Sequence, residues 1–297
     1  MLEMTSFVVA PCFDRNFLEK ATMAGPRAGL PSPHDHDLEK HFPLIKLHAN
    51  LKSTSSSNIA VLVLTGALNP IHEGHITAMN IARERLQEEG FQVVAGYLSP
   101  SHRSYVEPKM RAKGGGELYL STSLRLECVQ AAVAESEWLN CAAWESDESL
   151  HSHWPDYPLV VRALATHLSG SEDCRKQKIK VFFVCGYDHA LKCGLLRSGL
   201  QEIGVLVVPR GDDHPKKEKP TLNIFVGRRA PPPISSTLIR KYIRTMGRGC
   251  DLKKFDGLLH PDVTTLLLSS LPAAARPTIK TATKPLWTSK ERNHSRR

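Results

Sequence analysis

Residues 59–64, Ile-Ala-Val-Leu-Val-Leu, form an unbroken aliphatic run, the composition of a strand covered on both faces. The chain then reads Thr65-Gly66-Ala67-Leu68-Asn69-Pro70-Ile71-His72-Glu73-Gly74-His75. After it, apolar residues recur at Ala78, Met79, Ala82 and Leu86, the spacing of one helix face, and the pattern predicts a helix over 76–89. A tight turn therefore carries the chain from a core strand into a helix start. At such a start the backbone N–H groups and the helix dipole attract anions. His72 and His75 add side-chain donors suited to phosphate oxygens.

The same alternation continues downstream. Runs at 59–64, 91–98, 138–144, 179–184, 203–208 and 222–226 read as strands. Segments 76–89, 122–136, 155–168, 189–196, 236–246 and 261–269 read as helices. Strands separated by helices imply an α/β fold, a doubly wound parallel sheet with helices on both faces. Such sheets bind ligands at the carboxyl ends of their strands. The chemically distinctive residues fall there: His72 and His75 after the first strand, Ser99-Pro100 after the second, Gly186-Tyr187-Asp188 after the fourth. One domain over 58–270 is expected. Residues 1–57 read as a mostly irregular extension, broken by Pro26, Pro31, Pro33 and the hydroxyl-rich run 53–57, with a short helix around 17–23. The His34-Asp35-His36-Asp37 cluster lies in that extension without further ligands beside it, and no protein-held metal is expected.

The formal net charge of +9 invites a nucleic-acid partner, but its location argues otherwise. Residues 271–297 hold seven Lys and Arg against one acid, Glu291, so most of the excess belongs to a basic, disordered tail. That tail reads as a solvated end, or as a localisation signal or docking arm. No run approaches the ~18 apolar residues of a membrane span, so no membrane association is expected. The start of the chain lacks a basic region followed by an apolar stretch, so no secretory leader is expected. Seven scattered cysteines, with no Cys-x-x-Cys pair, fit reduced thiols in the cytoplasm or the nucleus. His102, His151 and His153 read as surface histidines, and Cys185 as a buried thiol.

A second distinctive element, Ile234-Ser235-Ser236-Thr237-Leu238-Ile239-Arg240, opens another helix after Pro231-Pro232-Pro233. Ser235 or Ser236 is a natural N-cap. The amides and hydroxyls of Ser236 and Thr237, with Arg240 one turn on, make a second phosphate cradle. Together the two elements form a two-ended clamp for a triphosphate.

On these residues the chain resembles the nucleotidylyltransferase superfamily, which carries (T/H)-x-G-H after its first strand and I-S-S-T-x-I-R late in the domain. Within it, the sequence is similar to eukaryotic-type nicotinamide/nicotinate mononucleotide adenylyltransferases. Gly66-Ala67-Leu68-Asn69-Pro70 resembles their G-S-F-N-P, and Ser99-Pro100 with Tyr105 and Lys109 resembles S-P-V-x-x-x-Y and a following lysine. Arg125 opens a similar helix, Trp144-Glu145-Ser146 matches W-E-S, Gly186-Tyr187-Asp188 resembles G-A-D, and Arg210-Gly211 resembles part of R-x-G. Three departures stand out: Ala67 and Leu68 replace Ser and Phe, Pro233 precedes Ile234, and Cys193-Gly194-Leu195-Leu196 behind Asp188 lacks the tryptophan that the family often places there as a second stacking partner.

The resemblance implies a Rossmann-like domain that transfers AMP from ATP to nicotinamide or nicotinate mononucleotide, releasing pyrophosphate by direct in-line attack. It implies His75 on the α-phosphate, His72 on the neighbouring phosphates, and Arg240 with Ser236 and Thr237 on the departing phosphates. Gly66, Ala67, Leu68, Gly186 and Asp188 would complete the ATP site, Asp188 at a ribose hydroxyl. Ala67, Leu68, Lys109, Trp144 and Arg210 would hold the mononucleotide, with Lys109 at its phosphate and Trp144 stacked on the pyridine. A magnesium ion would be carried by phosphates and water. The implied partners are small nucleotides, with a homo-oligomer left open. On the residues alone, Trp144 also reads as a core residue and Asp188 as a helix N-cap. Rival readings are an adenylyl- or cytidylyltransferase with another phosphorylated acceptor, or a non-catalytic nucleotide-binding scaffold. A class I aminoacyl-tRNA synthetase fragment would need a K-M-S-K-S loop, which the chain lacks.

Overall fold

The computed structural model describes residues 38–54, 56–112, 118–211, 218–246 and 251–271. Among these described residues six strands lie in one sheet, all parallel: β1 Ile59–Gly66, β2 Gln92–Pro100, β3 Leu139–Cys141, β4 Lys180–Gly186, β5 Gly204–Val208 and β6 Ile224–Val226. Their order is β3-β2-β1-β4-β5-β6. The strand order reverses between β1 and β4, the crevice where doubly wound sheets bind ligands.

The aliphatic run of β1 shows why both faces are covered. Ala60, Leu62 and Leu64 point into one core, and Ile59, Val61 and Val63 into the other. On the first face pack α3 (Glu73–Glu88), α5 (Thr122–Val133), α10 (Ser236–Met246) and α11 (Pro261–Ser270). On the second pack α1 (Leu38–His41), α2 (Ile45–Lys52), α6 (Tyr157–Gly170), α7 (Glu172–Lys176), α8 (Tyr187–Lys192) and α9 (Leu195–Ser198). Helix α4 (Arg103–Ala112) follows β2. The fold is the Rossmann-like α/β sheet expected from the sequence.

Several elements differ from expectation for identifiable reasons. The strand expected over 138–144 is only three residues long, because Trp144–Ser146 turns into a 3₁₀ helix. The helix expected over 189–196 is split into α8 and α9 at Gly194, whose φ of +67° no α-helix tolerates. Helix α4, which carries Pro108 inside it, is not among the helices expected from the sequence. Residues 38–52, read as irregular extension, form α1 and α2. Their Leu38, Phe42, Leu44, Leu47 and Leu51 are buried against the sheet. At the other end Leu271, assigned to the tail, is buried in the core. The remaining tail (272–297), the helix expected around 17–23 and the 34–37 cluster lie outside the described residues. Among the described residues, no helix is long and apolar enough to cross a membrane.

Candidate active site

The turn after β1 is pinned at several points. Leu68 sits at φ +41° and the Asn69–Pro70 bond is cis. The buried Asn69 side chain donates to the Leu118 carbonyl (2.9 Å) and accepts from the Leu120 N–H (2.9 Å). Arg125, fully buried, donates to the carbonyls of Ala67 (3.1 Å), Ser101 (2.8 Å) and Leu120 (3.3 Å) and to the Thr122 hydroxyl (3.3 Å). One side chain thus ties the loop after β1 to the end of β2.

The two histidines cap α3 reciprocally. His72 Nδ1 accepts the Gly74 N–H at 3.1 Å, and His75 Nδ1 accepts the His72 N–H at 3.2 Å. Their rings lie 3.9 Å apart. Burial, joined by His75 and Arg210, depresses the His72 pKa to about 2, and burial depresses that of His75 to about 4. Both rings are therefore neutral at pH 7. With each Nδ1 accepting, the proton resides on Nε2, so each ring presents an Nε2–H donor. Two neutral donors side by side suit phosphate oxygens.

Gly74 makes this packing feasible. A Cβ there would lie 2.9 Å from His72 Cε1, 3.0 Å from its Nδ1 and 3.2 Å from Ile234 Cγ2. Gly74→Ala is expected to swing the His72 ring off its cap and weaken nucleotide binding at least tenfold, about 1.4 kcal/mol. Isothermal titration with a non-hydrolysable ATP analogue checks this.

The late motif packs directly on the turn. Ser235 Oγ caps α10 by accepting the Leu238 N–H at 3.2 Å. Ser236 donates its hydroxyl to the Pro70 carbonyl (2.9 Å). Arg240, 3% exposed, donates to the Asn69 carbonyl (2.7 Å) and the Thr237 hydroxyl (3.0 Å). The structure thus brings His72, His75, Ser236, Thr237 and Arg240 together. It places the Arg240 and Ser236 side chains on loop carbonyls, where they set the turn's shape.

Around this centre the other expected residues spread along the sheet edge. Gly66 and Gly186 end β1 and β4. Asp188 is no N-cap, since Gly186 holds that position of α8. Asp188 Oδ2 lies 3.6 Å from Arg210 Nη1 after β5, and both are exposed. Lys109, on α4, reaches the Tyr105 hydroxyl (3.3 Å); burial, joined by the charges of Lys192 and Lys109, lowers the pKa of His189 on α8 to about 4. Trp144 is buried against Phe42 and His151, in keeping with the core reading left open for it. Two of the histidines expected at the surface are not there: His102 is buried and His151 half-buried.

Sequence reasoning assigned no role to Glu145. Its Oε2 accepts the Ser99 hydroxyl at 2.7 Å, and burial raises its pKa from 4.5 to about 8 despite Ser99, Ser101 and Arg125. Between those values the unfolded chain ionises here first, so folding stability falls as pH rises from about 4.5 to 8. Glu145→Gln, which mimics the protonated form, is expected to flatten that part of the profile. Urea unfolding at a series of pH values reads it.

A doubly wound parallel sheet with a histidine-capped anion cradle at its switch point defines a ligand-binding α/β protein of the nucleotide-handling kind. The sequence model of the cytidylyltransferase-like family matches residues 63–242, and the chain belongs to that family. It is 29% identical over 136 residues to the nicotinamide/nicotinic acid mononucleotide adenylyltransferase of Arabidopsis thaliana, covering 46% of this chain and 52% of that protein. It is 36% identical over 86 residues to the adenylyltransferase 2 of that name from Xenopus tropicalis, covering 29% of this chain and 25% of that protein. The chain thus matches about half the length of the first relative and a quarter of the second. Among solved structures it is similar to the Plasmodium falciparum nicotinic acid mononucleotide adenylyltransferase complexed with APC. That likeness has a TM-score of 0.46 and 12% identity, over 71% of this chain and 94% of that one.

Proposed function

We propose that the protein transfers AMP from ATP to nicotinamide or nicotinate mononucleotide, forming the dinucleotide and pyrophosphate. The observation that carries this reading is the pair of neutral Nε2–H donors held at the start of α3 by reciprocal caps. The relatives' printed names support the acceptor.

The mononucleotide phosphate oxygen attacks the α-phosphorus directly, so no protein nucleophile is needed. Catalysis is alignment plus stabilisation of charge that grows on the phosphate oxygens. His75 donates to the α-phosphate and His72 to its neighbour. The start of α10, at Ser236 and Thr237, receives the departing phosphates, with Arg240 fixing the turn between the two elements. Lys109 and Arg210 supply positive charge for the mononucleotide, and Asp188 a ribose acceptor. Among the described residues, no three metal-ligating side chains converge, and the cradle offers donors. A magnesium ion would be held through phosphate oxygens and water, where it would neutralise the leaving pyrophosphate.

The test is incubation with ATP, magnesium and a panel of phosphorylated acceptors, with products identified by mass. A dinucleotide from a pyridine mononucleotide, without an adenylyl-enzyme, is expected. Product only with another acceptor would move the chain to a different branch of the family.

A further inference from the structure

Trp144 is buried, and of the two rings against it His151 is the less buried. The indole is 3% exposed. Phe42 lies against it at 6.3 Å and 25°, and is itself fully buried in the core next to α1 and α2. His151 meets the indole edge-to-face at 4.4 Å and 75°, and its Nε2 lies 3.0 Å from the Trp144 carbonyl, to which it donates. Unlike Phe42, His151 is only half-buried and sits outside regular secondary structure. A short turn holds it there. Asp147 Oδ1 accepts the Ser149 N–H (2.8 Å) and hydroxyl (2.6 Å), and the Asp147 carbonyl accepts the His151 N–H (3.1 Å). Asp147 Oδ2 in turn lies 3.5 Å from His41 Nε2.

A planar base stacked on an indole needs atom contacts of about 3.5–4.0 Å. An imidazole centred 4.4 Å away leaves no room for a base on the side of the indole that it meets. Phe42 cannot leave without opening the core, whereas His151 needs only to turn outward.

We propose that His151 controls access to Trp144: the heteroaromatic base of the acceptor nucleotide seats on the indole only after the imidazole has left it. The inference rests on the proposed function and on the pyridine-stacking role that the family resemblance implies for Trp144. Its consequence is that the affinity for the base-bearing mononucleotide is reduced by the fraction of molecules in which the seat is open, while ATP is unaffected. His151, a short turn beyond the W-E-S element, thus sets acceptor affinity in a chain whose Cys193-Gly194-Leu195-Leu196 stretch carries no second stacking tryptophan.

Three variants of the full chain separate the ring from its hydrogen bond. His151→Ala and His151→Gln remove the ring, and the glutamine keeps a donor for the Trp144 carbonyl. His151→Phe keeps a ring and loses that donor. Circular dichroism establishes that each folds. In the ring-less variants the KM for nicotinamide mononucleotide is expected to fall about three- to tenfold. The KM for ATP and kcat should stay within about twofold, and His151→Phe should resemble the unaltered chain. A KM for the mononucleotide that is unchanged or raised in both ring-less variants overturns the proposal. Quenching of tryptophan fluorescence by nicotinamide mononucleotide, titrated without ATP, gives a readout independent of turnover. If the unaltered chain makes no dinucleotide, the proposed function has failed. The access role then stands or falls on whether the ring-less variants are quenched at lower mononucleotide concentration.

Discussion

His75→Ala should lower kcat by ~10²–10³, the scale for loss of one preorganised donor to a developing oxyanion. The KM for ATP should move much less, because the donor acts mainly on charge that appears in the transition state. The geometry sharpens this expectation. His75 accepts the His72 N–H through Nδ1, so its Nε2–H is fixed in tautomer and direction before substrate arrives. Losing that bond also removes one half of the α3 cap, worth ~1 kcal/mol of stability. The two effects are separable: thermal unfolding reads the cap, and steady-state pyrophosphate release reads the donor. If His75→Ala folds and keeps near-normal kcat, the histidine is only a cap and the proposed mechanism is wrong.

Arg125→Ala should be the most damaging single change to stability. The guanidinium holds three carbonyls and one hydroxyl in a region closed to water. Hydrogen bonds to a charged group contribute about 1.5–3 kcal/mol each and are not additive, so the loss should be about 3–5 kcal/mol. For a domain of this size that corresponds to a fall in Tm on the order of 10 °C. Because Arg125 joins the Ala67 carbonyl to the Ser101 carbonyl, the residual folded fraction should also bind ATP poorly. A variant with unchanged Tm by scanning calorimetry would show that Asn69, Ser236 and Arg240 hold the loop after β1 without it.

Much of this architecture was legible because local pattern and tertiary role coincide. The run 59–64 is aliphatic at every position, which only a strand between two helical layers requires. The boundaries of α10 were read as they stand, since Pro233 and Ser235 punctuate its start. Helices α1 and α2 carried a readable signal too, Leu38, Phe42, Leu47 and Leu51, but Pro43 and the polar run after them hid it. In the candidate site, the residue types of both phosphate elements could be read from spacing. What Ser236 and Arg240 bind could not, because their partners Pro70 and Asn69 lie 166 and 171 residues away. Trp144 and Asp188 were ambiguous for the same reason: a strand-end aromatic and a loop acid take their roles from neighbours that sequence does not order.

Helices α1 and α2 lie before the family-matched stretch 63–242, and α11 lies after it. Lys46 of α2 donates to the carbonyls of Val133 and Leu139, and Asn50 to those of Val94 and Glu137, while α11 covers the opposite layer through Val263 and Leu267. A gene fragment trimmed to the shared stretch would thus lose a wall from each side of the sheet, with bare aliphatic surface where those walls had stood. Such a fragment should associate with itself when expressed. Whoever wants the smallest soluble version of this protein should begin no later than Leu38 and stop no earlier than Leu271.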